Sequence, residues 1–179
     1  MRSACWFVLA TSLLAAAGPA RAQLVKSYGD LGAWSVTLAK DPHGDEYCLA
    51  STREPPAGPA GYNLSFAVDS NYSRVFLGYQ GPPMPTPASL ALAADGSTIV
   101  DLTIRYPRSD FGENLHLIAV DLPPNMLDDL IFPSLNGQIA LTVRAGAIGF
   151  SVPTAHFDII QAELDACAQR EKIDDASLN

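Results

Sequence analysis

The sequence has no Cys-x-x-Cys, no His-Glu-x-x-His and no Gly-x-Ser-x-Gly. Those absences remove the linear signatures of a zinc site and of a serine nucleophile presented on a strand-to-helix elbow. Gly146-Ala147-Ile148-Gly149 lacks the length and the downstream helix of a phosphate-cradling loop, and reads as a turn. The three histidines, His43, His116 and His156, are scattered along the chain. Charge is scarce: 17% of the 179 residues are Asp, Glu, Lys or Arg, against 48% hydrophobic. That balance excludes wholesale disorder and supplies enough apolar material for one packed core, the usual number at this length. No apolar run is long enough to cross a bilayer as a helix.

What is present begins with an address. Arg2 is followed by the uncharged run Ala4 to Ala17, then Gly18-Pro19, then Ala20-Arg21-Ala22 before Gln23. A short apolar core, a helix-breaking pair and small residues two apart are the parts of a cleavable signal peptide, with cleavage after Ala22. Residues 1–22 are therefore expected to leave, 23–172 to fold as a single β-rich domain, and 173–179 to form a frayed tail. Removal of the signal leaves 9 Lys and Arg against 19 Asp and Glu, a net charge of −10. Such a field repels phosphate backbones and anionic head groups, so neither nucleic acid nor a lipid surface is an expected partner. After cleavage no stable membrane span is expected.

Cysteine counting follows from the address. Cys5 departs with the signal, leaving Cys48 and Cys167, 119 positions apart. Two cysteines in an oxidising compartment predict one disulfide, worth about 4–5 kcal/mol in the chain-entropy picture. Two unpaired buried thiols are the alternative.

Most of the mature chain alternates apolar and polar residues between turn-forming clusters. Trp34 to Leu38 and Tyr62 to Val68 have the period of two that buries one face of a strand, with Tyr47 to Ala50 and Arg74 to Tyr79 as their partners. Asp41 to Asp45, residues 54–61 and Asp69-Ser70-Asn71 carry turn chemistry. Ser89 to Ala93 and Thr98 to Tyr106 flank Asp95-Gly96, a pair suited to a tight hairpin. Leu115 to Leu122 is a further strand, 123–131 a short helix, and Gln138 to Arg144 with Ala147 to Val152 a last strand pair. Prolines in 81–87 forbid a place inside a sheet, so this segment reads as an exposed spacer, with a recognition strip around Met84 as the alternative. Thr154 after Pro153 signals a final helix whose Phe157, Ile160, Leu164 and Cys167 form one apolar stripe. About eight short strands plus this helix predict a mainly β fold: a β-sandwich or a partly closed antiparallel barrel with the C-terminal α-helix packed on it.

In order along the chain, Gly32-Ala33-Trp34-Ser35-Val36, Tyr47-Cys48-Leu49-Ala50, Ala94-Asp95-Gly96 and Phe150-Ser151-Val152-Pro153 leading into Phe157 resemble the bacterial invasion-associated locus B family. The likeness spans most of the mature region. It implies a small exported protein of the cell envelope, associated with entry into host cells, and implies no catalytic residues. This chain departs from the family in having Leu38 and no mid-chain cysteine pair, so its disulfide pattern must differ.

The remaining polar clusters are weak carriers of chemistry. Asp41-Pro42-His43-Gly44-Asp45-Glu46 gathers three carboxylates and a histidine, but without the spacing of a calcium loop it reads as a solvated turn. Asp128-Asp129 reads as the wet side of a short helix, since adjacent helical residues do not share a face. Cysteine catalysis through His43 or His156 is less economical than a bridge. Asn63-Leu64-Ser65 and Asn71-Tyr72-Ser73 match a glycosylation acceptor that has no meaning in a bacterium. No catalytic residue, cofactor or metal is assigned. The expected function is that of a non-enzymatic periplasmic or secreted module that binds a protein or a small molecule. One alternative is a periplasmic hydrolase whose site is assembled only in three dimensions. Another is an inhibitor or chaperone-like subunit using an exposed sheet edge.

Overall fold

The computed structural model describes residues 23–40, 44–53, 62–69, 73–85, 88–104 and 115–170. The expected signal segment 1–22, the residues Asp41, Pro42, His43 and Asn71, the proline-rich stretch 54–61 and the tail 173–179 lie outside the described residues. Among the described residues no helix is long and apolar enough to cross a membrane.

The strands are β1 (Gln23–Leu31), β2 (Trp34–Lys40), β3 (Glu46–Thr52), β4 (Asn63–Val68), β5 (Ser73–Gln80), β6 (Ala88–Ala94), β7 (Ser97–Ile104), β8 (Leu115–Leu122), β9 (Ala140–Ala145) and β10 (Ile148–Pro153). They form a six-stranded sheet in the order β1-β2-β3-β4-β5-β8 and a four-stranded sheet in the order β10-β9-β6-β7, and every neighbouring pair is antiparallel. The fold is a β-sandwich with a C-terminal helix, and it does not close into a barrel. The helical elements come after β8: a π-helical turn over Leu127–Ile131 that runs into α1 (Phe132–Leu135), and, after β10, α2 (Phe157–Arg170).

Alternation decides which side chains meet. On the six-stranded sheet Trp34, Val36 and Leu38 pair with Thr52, Ala50 and Cys48, and this inward row continues through Phe66, Val75 and Leu77 to Ile118. These residues join Leu90, Leu92, Leu141 and Val143 of the smaller sheet in one core. The larger sheet is two strands wider than the smaller. α2 packs over β1, β2 and β3, where its stripe Phe157, Ile160, Leu164 and Cys167 is buried. Trp34 lies at the junction, edge-on to Phe157 at 5.2 Å and stacked on Phe66 at 5.9 Å, and its Nε1–H donates to the Pro153 carbonyl at 2.8 Å. The Asp95-Gly96 hairpin has φ of 48° and 79°, the left-handed pair a tight antiparallel turn requires.

Several local expectations are corrected. β1 is a strand that the sequence reading did not assign, because two register shifts, between Leu24 and Lys26 and between Ser27 and Gly29, break its alternation. It brings the number of strands among the described residues to ten, against the expected count of about eight. The short helix does not stop at Ile131 but continues through Pro133 to Leu135, since proline is tolerated in a first helical turn. The 81–85 segment is the exposed connection expected at Pro82, Pro83 and Pro85, but Met84 within it is not exposed. It is buried in the core, its amide donates to the Tyr79 hydroxyl at 2.9 Å, and its side chain lies against Gly146. Thr154 opens the turn into α2 but does not cap it through its side chain, because its hydroxyl donates to the Gln138 carbonyl.

Candidate functional site

Cys48 and Cys167 are bonded, with Cα atoms 6.0 Å apart. Both are buried, at 2% and 0% exposure, because Cys48 faces inward on β3 and Cys167 lies on the apolar stripe of α2 that covers it. The bond therefore clamps the helix to the sheet from inside. Its sulfurs are shielded from solvent and in this state offer no thiolate for chemistry.

The two described histidines divide between a structural and an exposed role. His116 is buried on β8, stacked on Tyr79 with ring centroids 4.9 Å apart, and its Nε2–H donates to the Gly81 carbonyl at 2.9 Å. With Tyr79 also receiving the Met84 amide, this aromatic pair anchors the segment Gly81–Pro85 to the end of the sandwich. The proline-rich chain is thus ordered by two side chains that sequence spacing could not associate with it. Asn63 is spent in the same structural way: its amide donates to the Thr52 carbonyl at 2.6 Å and its Oδ1 accepts from Ser65 at 2.9 Å.

His156 is exposed, and it lines an open cleft. This cleft of about 540 Å³ is lined by Asn136, Gly137, Gln138, Thr154, His156 and Asp158, between the end of α1 and the start of α2. Its walls are local consequences of the sequence. Gly137 at φ 79° turns the chain out of α1. Thr154 ties the two sides together through its amide to the Ile139 carbonyl at 3.1 Å and its hydroxyl to the Gln138 carbonyl. Gln138, with its amide nitrogen turned toward the β6–β7 hairpin, donates to both carboxylate oxygens of Asp95. His156 has φ 62°, and its carbonyl accepts the first helical bonds of α2 from Ile159 and Ile160.

This arrangement offers a polar bowl with an imidazole and a carboxylate at the rim. Among the described residues, no hydrogen bond joins His156 to a carboxylate, and the one hydroxyl in the lining, that of Thr154, is engaged with Gln138. A second electrostatic feature lies away from the cleft. Burial, with a smaller contribution from Asp128, raises the Asp165 carboxyl above its ordinary value, so Asp128 of the π-turn and Asp165 of α2 repel each other across the helix contact. Among the described residues no three His, Cys, Asp or Glu side chains converge to hold a metal ion. Gly44, Asp45 and Glu46 of the acidic turn are described, and there Glu46 pairs with Lys40 at 3.4 Å. Sequence reasoning missed the cleft because its residues come from two turns, 136–138 and 154–158, that are separated by a strand pair. The signals that mark it, a glycine after α1 and a threonine after Pro153, were legible only as helix boundaries.

Comparison of the chain with protein-family models, with curated proteins and with solved structures finds no match. The reading of this site rests on its own geometry.

Proposed function

We propose that the chain is an exported cell-envelope protein, periplasmic or secreted, that acts by binding a protein or a small molecule rather than by catalysis. The observation that supports it best is the buried bridge between residues 119 positions apart, since such covalent staples persist in oxidising compartments and are reduced in the cytosol. The signal-like leader and the loss of Cys5 with it belong to the same reading. So does the resemblance to the invasion-associated locus B family, which adds a role in host interaction. His116 supports binding over turnover, because its ring is committed to holding the Gly81–Pro85 segment in place.

The hydrolase alternative has its best location in the α2 cleft, where His156 and Asp158 lie together. It is the weaker reading, since the cleft holds no free hydroxyl or thiol to serve as nucleophile. The test is to recover the protein from fractionated cells, sequence its N-terminus, and use it to capture partners from envelope extract. An N-terminus at Gln23 and a stoichiometric partner or ligand are expected. Recovery from the cytosol with residues 1–22 still attached overturns export, and ester or peptide turnover that vanishes in His156→Ala overturns the non-catalytic reading.

A further inference from the structure

We propose that the protein self-associates as a two-fold dimer in which β8 of one copy pairs antiparallel with β8 of a second, joining the two six-stranded sheets edge to edge. This does not depend on the function proposed above.

Four strands lie at sheet edges, and three of them carry the features that discourage pairing with another chain. β1 has two register shifts and the charges Lys26 and Asp30. β7 has a register shift opposite Leu92 and Ala93 and exposes Asp101. β10 is six residues long and ends in Pro153, whose carbonyl Trp34 occupies. β8 differs from all three. It pairs with β5 over eight consecutive residues without a shift and contains no proline or glycine. Its single charge, Asp121, is already paired with Arg74 on β5 at 2.5 Å. Among the described residues its other side has no hydrogen-bonded neighbour, so it presents a row of backbone donors and acceptors whose natural complement is another extended strand.

The side chains of β8 favour a second copy as that strand. His116, Ile118, Val120 and Leu122 are covered from within, and the half-buried Leu117 and Ala119 face outward beside Gly78 and Phe76. A two-fold axis perpendicular to the sheet keeps inward residues opposite inward ones. Centred on Ile118, it opposes seven residues of each strand and sets Leu117 against Ala119 of the second copy, a large side chain beside a small one, twice. The two Asp121 positions then fall at opposite ends of the overlap, about 20 Å apart and beyond the reach of screened repulsion. Centring on Ala119 would set Leu117 against Asp121, and centring on Leu117 would shorten the overlap to five residues. A pairing of this kind buries less than a standard interface, so association in the range of roughly 1–100 µM is expected.

The test is sedimentation equilibrium of the full chain, as processed by the producing cell, across that concentration range at physiological salt. A concentration-dependent doubling of mass is expected. Leu117→Lys with Ala119→Lys, and separately Leu117→Glu with Ala119→Glu, should each weaken association at least tenfold through like charges facing across the axis. Their equimolar mixture should regain the dimer mass, because each lysine then meets a glutamate. A parent that stays monomeric overturns the proposal, as does a dimer that both charged variants leave intact or a mixture that stays monomeric. Amide hydrogen exchange on the unmutated protein provides a second reading: β8 amides should exchange more slowly at high concentration than at low, and unchanged β8 protection also overturns it.

Discussion

Breaking the bridge tests the architecture most directly. Cys48 and Cys167 close a loop of 119 residues, for which the chain-entropy relation predicts a stabilisation of about 5 kcal/mol at 25 °C. Replacing both residues with alanine removes the constraint without leaving buried hydroxyls, which serine would introduce at sites of 2% and 0% exposure. In a domain of this size such a loss lowers the melting temperature by roughly 10–20 °C. The urea dependence should also steepen, because the unfolded chain without the bridge is more expanded and exposes more surface. The assay is urea and thermal unfolding of the parent and of Cys48→Ala with Cys167→Ala, each with and without reductant. Reductant should bring the parent close to the variant and leave the variant unchanged. If parent and variant melt within about 1 °C of each other without reductant, the clamp contributes nothing and the reasoning fails.

Three further outcomes follow from single groups. Tyr79→Phe strands the buried Met84 amide and should cost about 1–3 kcal/mol, with accelerated exchange of that amide; a change below about 0.5 kcal/mol in a urea titration contradicts the anchoring role. His156→Gly relieves a left-handed residue at φ 62° and should stabilise by about 1 kcal/mol, whereas a lower urea midpoint would mean that the imidazole makes a contact worth more than the strain. Asp165 has its carboxyl raised above 3.8 by burial and by Asp128, so it holds its proton more tightly folded than unfolded. Its contribution is fully present below the unfolded value and is lost as pH rises through the folded one, leaving a destabilising carboxylate at neutral pH. Asp165→Asn should therefore raise the melting temperature at pH 7 and have little effect near pH 3; equal shifts at both pH values contradict the cause.

The elements legible in the sequence are those set by neighbours a few residues away. The alternation of Asn63–Val68 shows a strand with one face inward, Asp95-Gly96 marks a hairpin, and the stripe through Phe157, Ile160, Leu164 and Cys167 marks the buried side of a helix. In each case the period of the backbone maps directly onto which side chains lose water. A strand with two bulges, such as β1, has no such period and so escaped notice.

What the chain determines by itself is therefore a mainly β domain with a C-terminal helix, sandwich or barrel, the side of each regular element that is buried, and the pair of cysteines available to meet; that the sheets form a sandwich is decided by the tertiary structure. Only the tertiary structure decides that β5 pairs with β8 while β6 and β7 cross to the smaller sheet, that Met84 is drawn inside by Tyr79, and that Asn136, Gln138, Thr154 and His156 share a cleft. It also decides which sheet edge is left without a guard among the described residues. Those outcomes depend on contacts between residues far apart in sequence, where many partners satisfy the same local pattern and the choice is made by close packing and by the need to pair every buried polar group.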